Sequence, residues 1–186
     1  MKRWISVMGL MGAVALAKAE ALTGDVGLAC EAILCLSSGT RPDECASSLS
    51  RYFSIQHDKL SDTLKARHEF LNLCPVAGND ASMQSLLDAI VNGAGRCDVP
   101  ALNAELSVWK RNRNGTARRI IGNTLPAHCQ KYTQHSYTDL QNTGPRYVGV
   151  PEQGGYWVES SHYTEAIKRY QESQQKKQRA QRYITP

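Results

Sequence analysis

The chain has 186 residues, a formal net charge of +5 and a hydrophobic content of 41%. The length suits one ordinary domain, and the apolar content is enough for a small core. Six lysines and arginines and one glutamate between Lys168 and Arg182 account for the excess positive charge. The rest of the chain is close to neutral, which argues against the broadly basic body of a nucleic-acid-binding protein.

Residues 1–19 have the pattern of a signal peptide. Lys2 and Arg3 precede an uncharged apolar stretch, and Ala17-Lys18-Ala19 is a small-residue cleavage site. The stretch is shorter than the roughly 20 residues that a spanning helix needs. No cysteine follows it directly, which argues against a lipid anchor. We therefore expect export, one domain over residues 20–170, and a basic, Gln-rich tail over residues 171–186.

The cysteines predict three structural disulfides. They are even in number and all follow the predicted cleavage site: Cys30, Cys35, Cys45, Cys74, Cys97 and Cys129. No C-x-x-C motif occurs, and the histidines show no metal-ligand spacing with the cysteines. We predict no metal and no cofactor.

Helical geometry restricts the pairing at one point. Residues 28–36 read as a helix that is apolar all round except at Glu31, which predicts a buried central position. On this helix Cys30 and Cys35 lie about 140° apart, so they should not bridge each other. Other connectivities stay open. We prefer Cys35–Cys45 across a tight turn, Cys30–Cys74 and Cys97–Cys129.

Three more helices follow in the N-terminal half. Thr40 is the expected N-cap of the second, whose stripe is Cys45, Leu49, Tyr52 and Phe53. The third should span about 59–73, with Leu60, Leu64 and Leu71 aligned. The fourth has the clearest helical periodicity, formed by Met83, Leu86, Leu87, Ile90 and Val91.

The C-terminal half is less regular. A short helix should start at Asp98 and continue through Trp109, followed by a basic loop over residues 110–119. Residues 146–150 and 156–159 are β-rich and predict a hairpin. A last helix should begin near Tyr163 and fray into disorder after Gln171. The expected fold is mainly α: a disulfide-stapled bundle of short helices with a minor β-hairpin near the C-terminus.

The sequence contains no recognisable catalytic motif. His128-Cys129 could pair a base with a nucleophile, but half of a disulfide is the simpler reading of Cys129. Glu31 could serve as a general acid in cleavage of cell-wall glycans, although no second carboxylate is placed beside it. We favour the alternative that Glu31 reaches the surface or pairs with Arg41 or Arg51. We predict that the protein is not an enzyme.

Long ungapped stretches resemble the TrbM family of conjugal transfer proteins, which includes KikA-like proteins. The resemblance is carried by residues 30–39 (CEAILCLSSG), Arg41-Pro42 with Glu44-Cys45, residues 52–55 (YFSI) and residues 70–75 (FLNLCP). It implies a plasmid-encoded periplasmic protein that serves mating-pair formation alongside type IV secretion. It carries over no catalytic residue.

The predicted function is therefore that of a periplasmic accessory or assembly protein acting on other conjugation proteins by contact. The candidate contact residues come from the basic loop and the aromatic hairpin: Lys110, Arg111, Arg113, Tyr147, Tyr156 and Trp157. Core packing is an equal alternative for Trp157. The basic tail could also touch membrane phosphate groups or an acidic partner, although we favour a solvated charged face. Two alternatives are a peptidoglycan-cleaving enzyme that uses Glu31, and an envelope-acting toxin or exclusion factor.

Overall fold

The computed structural model describes residues 22–78, 80–111 and 114–184, so the predicted signal peptide lies outside the described residues. Within these ranges the chain forms seven helices and two antiparallel hairpins. The helices are α1 Gly24–Ser37, α2 Ala46–Ser54, α3 Leu60–Leu71, α4 Ala81–Gly93, α5 Val99–Glu105, α6 Ala127–Thr133 and α7 Tyr163–Ile184. The strands are β1 Ser107–Arg111, β2 Ala117–Ile121, β3 Arg146–Val148 and β4 Tyr156–Val158. The predicted mainly α fold is confirmed.

Helix α1 lies at the centre of the helical core, where it packs against α2, α3 and α4. Its inner face is fully buried at Ala29, Ala32 and Leu36. The expectation of burial on all sides is wrong, because Leu34 is 72% exposed and Glu31 is half-buried. One edge of the helix therefore faces solvent.

The three disulfides are Cys30–Cys74, Cys35–Cys45 and Cys97–Cys129, which is the preferred pairing. Their Cα–Cα distances are 4.9, 5.8 and 5.4 Å. Cys30 and Cys35 thus bond to different neighbours, as the helical geometry required. Two of the bridges tie α1 to later segments, one to the 3₁₀ turn before α2 and one to the residues just after α3.

The second and third helices differ from the prediction in detail. Thr40 does not cap α2, which is preceded by a 3₁₀ turn over Asp43–Cys45. On α3, Leu60 is 53% exposed, whereas Arg67 is only 8% exposed. The Arg67 guanidinium lies 4.9 Å from the centre of the Tyr52 ring, and its Nε donates to the Ile55 carbonyl at 3.2 Å. Aromatic faces and a carbonyl stabilise this buried cation.

Helix α4 follows the predicted stripe and packs closely on α6. A Cβ at Gly93 would lie 2.3 Å from Tyr132, so only glycine permits this approach. The Tyr132 hydroxyl donates to the Leu36 carbonyl, which links α6 to α1. Burial raises the pKa of Tyr132 to about 12. The contact joins the first and second halves of the chain.

The C-terminal half contains two separate two-stranded sheets. The predicted hairpin is present as β3 and β4. The segment that was predicted to be a basic loop forms the hairpin of β1 and β2 instead. Helix α5 ends earlier than predicted, at Glu105, and Trp109 belongs to β1. Helix α7 continues without interruption to Ile184, so fraying after Gln171 is not observed. None of the helices in the described ranges is long and apolar enough to cross a membrane.

Candidate interaction surface

The β1–β2 hairpin, which we call the basic ribbon (Ser107–Ile121), is exposed along most of its described residues. Its sequence contains five basic residues and no acidic residue. Trp109 is 75% exposed and Val108 is 54% exposed. Large exposed apolar groups among arginines are typical of contact surfaces between proteins. Lys110 and Arg111 are exposed on this ribbon, whereas Arg113 lies outside the described residues.

The strand register divides the ribbon into two faces. Trp109 is directly opposite Arg119, and Lys110 is directly opposite Arg118. Because side chains alternate along a strand, these two pairs lie on opposite faces. One face thus carries an exposed indole beside a guanidinium, and the other carries paired cations.

Aromatic side chains of the β3–β4 hairpin fix the base of the ribbon. The Tyr147 hydroxyl donates to the Ile121 carbonyl at 2.7 Å, and the Trp157 indole N–H donates to the Gly122 carbonyl at 3.0 Å. The two rings meet edge to face with centroids 5.3 Å apart. Burial raises the pKa of Tyr147 to about 12.

This arrangement corrects part of the predicted contact surface. Trp157 is only 5% exposed and belongs to the core, while Tyr147 and Tyr156 are half-buried. These residues position the ribbon instead of forming a free aromatic patch. Of the two tryptophans that the structure describes, Trp109 is the exposed one, and the sequence pattern had predicted a helix there.

Asn103 connects α5 to the same assembly. Its side-chain amide donates to the Trp157 carbonyl at 2.9 Å and accepts from the Trp157 backbone N–H at 2.8 Å. Its own carbonyl accepts from Arg119 at 3.2 Å. Both hairpins are thereby joined to the helical core through polar contacts, which gives the ribbon a defined position.

The cationic face of the ribbon turns toward residues 151–154. Lys110 Nζ lies 3.2 Å from the Glu152 carboxylate. The pKa of Glu152 is below its ordinary value, first because its own backbone N–H donates to the carboxylate. The hydrogen bond from Lys110 and the positive charges of Lys110 and Arg118 lower it further. Glu152 is therefore ionised at neutral pH and pairs with Lys110 beside the ribbon.

Helix α7 forms the opposite wall. Tyr170 accepts a hydrogen bond from the Val150 N–H at 3.2 Å, and Gln174 donates to the Gln153 carbonyl at 3.0 Å. A groove of about 420 Å³ lies between the ribbon, residues 151–154 and this helix. The basic segment, the β3–β4 hairpin and the C-terminal helix thus meet at one place.

The other sequence candidates lie elsewhere. Glu31 does not pair with Arg51, which binds Asp25 at 2.8 Å instead.

Ligand atoms of Cys97, His128 and Cys129 lie within 4.8 Å of one another. The two sulfurs are bonded to each other, so neither is a thiolate able to bind a metal. The pKa of His128 is lowered, mainly by burial and next by the charge of Arg96.

The geometry defines a class: a small disulfide-crosslinked helical domain that presents an anchored basic ribbon. The TrbM family model matches residues 21–171. The chain therefore belongs to the TrbM family, a family of conjugal transfer proteins. The match ends at Gln171, before the α7 residues that line the groove, which are Gln174, Lys177, Gln178 and Gln181. No curated protein and no solved structure matched the chain.

Proposed function

We propose that this protein is a periplasmic accessory or assembly factor of a plasmid conjugation system, and that it acts by contact with other type IV secretion proteins instead of by catalysis. Membership of the TrbM family supports the role in conjugation. Three disulfides and the signal-peptide pattern of residues 1–19 support the periplasm, since structural disulfides persist in oxidising compartments.

The observation that best supports a contact function is the exposure of Trp109. Its side chain is 75% exposed on a ribbon whose position is fixed by hydrogen bonds at its base. An exposed indole gains free energy when a partner covers it, and a fixed position lowers the entropy lost on binding. Arg119 beside it adds a second residue type that is common at binding hot spots.

A crosslinking experiment tests this proposal directly. A photoreactive amino acid at position 109 is introduced in donor cells that carry the complete transfer system. We expect an adduct with another transfer protein, identified by mass spectrometry, and no adduct when the transfer genes are absent. The matched control is the same substitution at Tyr137, an aromatic residue that is 49% exposed outside the ribbon. Equal labelling at both positions would contradict a specific contact.

A mating assay gives the functional readout. A donor strain deleted for the gene is complemented with the wild type or with Trp109→Ala. We expect reduced transfer with the variant at equal periplasmic amounts of protein, whereas Tyr137→Ala should restore transfer. Full transfer with Trp109→Ala would show that the ribbon is not the contact surface.

A further inference from the structure

The groove beside α7 has the dimensions of a binding site. It lies against the ribbon at Arg118 and Arg119 and has a volume of about 420 Å³. This value falls within the range of roughly 300–1,000 Å³ that is typical of ligand sites. Trp109 does not line it. The groove therefore adjoins the indole face at Arg119, which lies opposite Trp109, but does not include the indole itself.

The groove has positive charge without a matching negative charge. Arg118, Arg119 and Lys177 line it, and Glu152 is its one acidic lining residue. Glu152 is already bound by Lys110. Within the described ranges, neither Arg118 nor Lys177 forms an ion pair with a carboxylate. An anionic ligand would thus meet two cations, Arg118 and Lys177, that form no ion pair in the described part of the chain.

The α7 wall presents amides where an ordinary helix would present an apolar stripe. Gln174, Gln178 and Gln181 follow each other at helical spacing on the groove side. An amide side chain both donates and accepts hydrogen bonds, which matches the backbone of an extended peptide. The wall lacks the apolar stripe by which an interfacial helix inserts into lipid. These residues therefore favour a polypeptide over a membrane surface.

The walls are held in place before any ligand binds. The Gln153 carbonyl accepts from Gln174 at 3.0 Å and from Lys177 at 3.4 Å. Gly154, with φ +88°, lines the groove without a side chain, and a Cβ there would lie 4.0 Å from Lys177 Nζ. A preformed groove loses little conformational entropy on binding.

We propose that this groove binds an acidic, extended segment of a partner protein, with Arg118 and Lys177 pairing with its carboxylates and the α7 amides bonding its backbone. This inference rests on the proposed function in one respect, namely that the protein acts by contact with other proteins. The TrbM match ends at Gln171, so the α7 residues that line the groove lie beyond the matched region.

Fluorescence anisotropy with the purified mature protein tests the groove alone. The probe is a fluorescein-labelled peptide of alternating glutamate and serine, and the comparison peptide replaces glutamate with glutamine. The variants are Arg118→Glu and Lys177→Glu. The matched control is Arg179→Glu, which makes the same charge change on α7 about 150° around the helix from the groove stripe. Circular dichroism verifies that each variant is folded.

We expect the acidic peptide to bind and the glutamine peptide not to bind. Arg118→Glu and Lys177→Glu should each weaken binding at least about fivefold, and Arg179→Glu less than about twofold. An equal loss in Arg179→Glu would overturn the proposal, because net charge alone would then explain binding. No binding at low salt, or preferential binding of phosphatidylglycerol vesicles or duplex DNA through Lys177, would also overturn it. A negative result here leaves crosslinking at position 109 unaffected, so the two proposals fail separately.

Discussion

Removal of the disulfides one pair at a time should destabilise the protein in an order set by loop length. The bridges Cys30–Cys74, Cys97–Cys129 and Cys35–Cys45 span 44, 32 and 10 residues. In the chain-entropy model their closure is worth about 4.0, 3.7 and 2.7 kcal/mol at 25 °C. The perturbation is a double Cys→Ala substitution of each pair in the mature protein.

The nesting of one disulfide loop inside another lowers the value for Cys30–Cys74 only slightly. The short loop of Cys35–Cys45 lies inside the loop of Cys30–Cys74, which reduces the effective length of the outer loop to roughly 34 residues. Its contribution then falls to about 3.8 kcal/mol, still about 1 kcal/mol above that of the inner bridge. We therefore expect the Cys30–Cys74 and Cys97–Cys129 variants to be similar to each other and less stable than the Cys35–Cys45 variant.

Urea unfolding under non-reducing conditions measures this order. Linear extrapolation gives the free energy of unfolding of each variant, and the slope should rise as cross-links are removed because the unfolded chain exposes more surface. The reasoning is refuted if the Cys35–Cys45 variant is the least stable. Restriction of the unfolded chain would then not be the main source of stabilisation.

Two further predictions concern the core and pH. Trp157→Ala should lower the free energy of unfolding by about 3–5 kcal/mol, because it empties a buried site and removes the bond to Gly122. Trp109→Ala should change the free energy of unfolding by no more than about 0.5 kcal/mol, because the indole is exposed. If urea unfolding gave similar losses for the two variants, the burial of Trp157 and the exposure of Trp109 would be contradicted. The pKa of Tyr132 is about 12 in the folded protein, whereas tyrosine in an unfolded chain ionises near pH 10. Its contribution to the free energy of unfolding is therefore fully present below about pH 10 and is lost as the pH rises toward about 12. Melting temperatures between pH 8 and 12 should therefore fall less steeply in Tyr132→Phe, and parallel curves would contradict this.

The N-terminal half could be read from the sequence because local patterns decide its structure. The stripe of α4 has one clear periodicity, and the geometry of a single helix separates Cys30 from Cys35. The buried Arg67 could not be predicted this way. Its burial depends on ring faces of Tyr52 and Phe53, which belong to another helix. From sequence alone, an arginine is expected at the surface unless the groups that would stabilise its buried charge are known.

The basic ribbon was missed although a signal for it exists. The spacing of Leu102, Leu106 and Trp109 resembles a continuing helix, and it outweighed the single β-branched neighbour, Val108. Asn114-Gly115 lies between two β-rich segments, and this dipeptide is a strong hairpin signal. Gly115 lies in the connection between the two strands with φ +82°, a conformation that glycine adopts without strain. The groove could not be predicted from sequence, because it forms only where three distant segments meet.

The disulfide pattern also determines the covalent connectivity of the chain. Residues 30–74 and residues 97–129 form two cross-linked blocks, and no bridge joins one block to the other. The segment between them contains α4, whose apolar side chains pack on both blocks. A single backbone cleavage between Cys74 and Ala81 would leave two fragments held together by packing alone. A cleavage within either block would leave every part of the chain covalently connected.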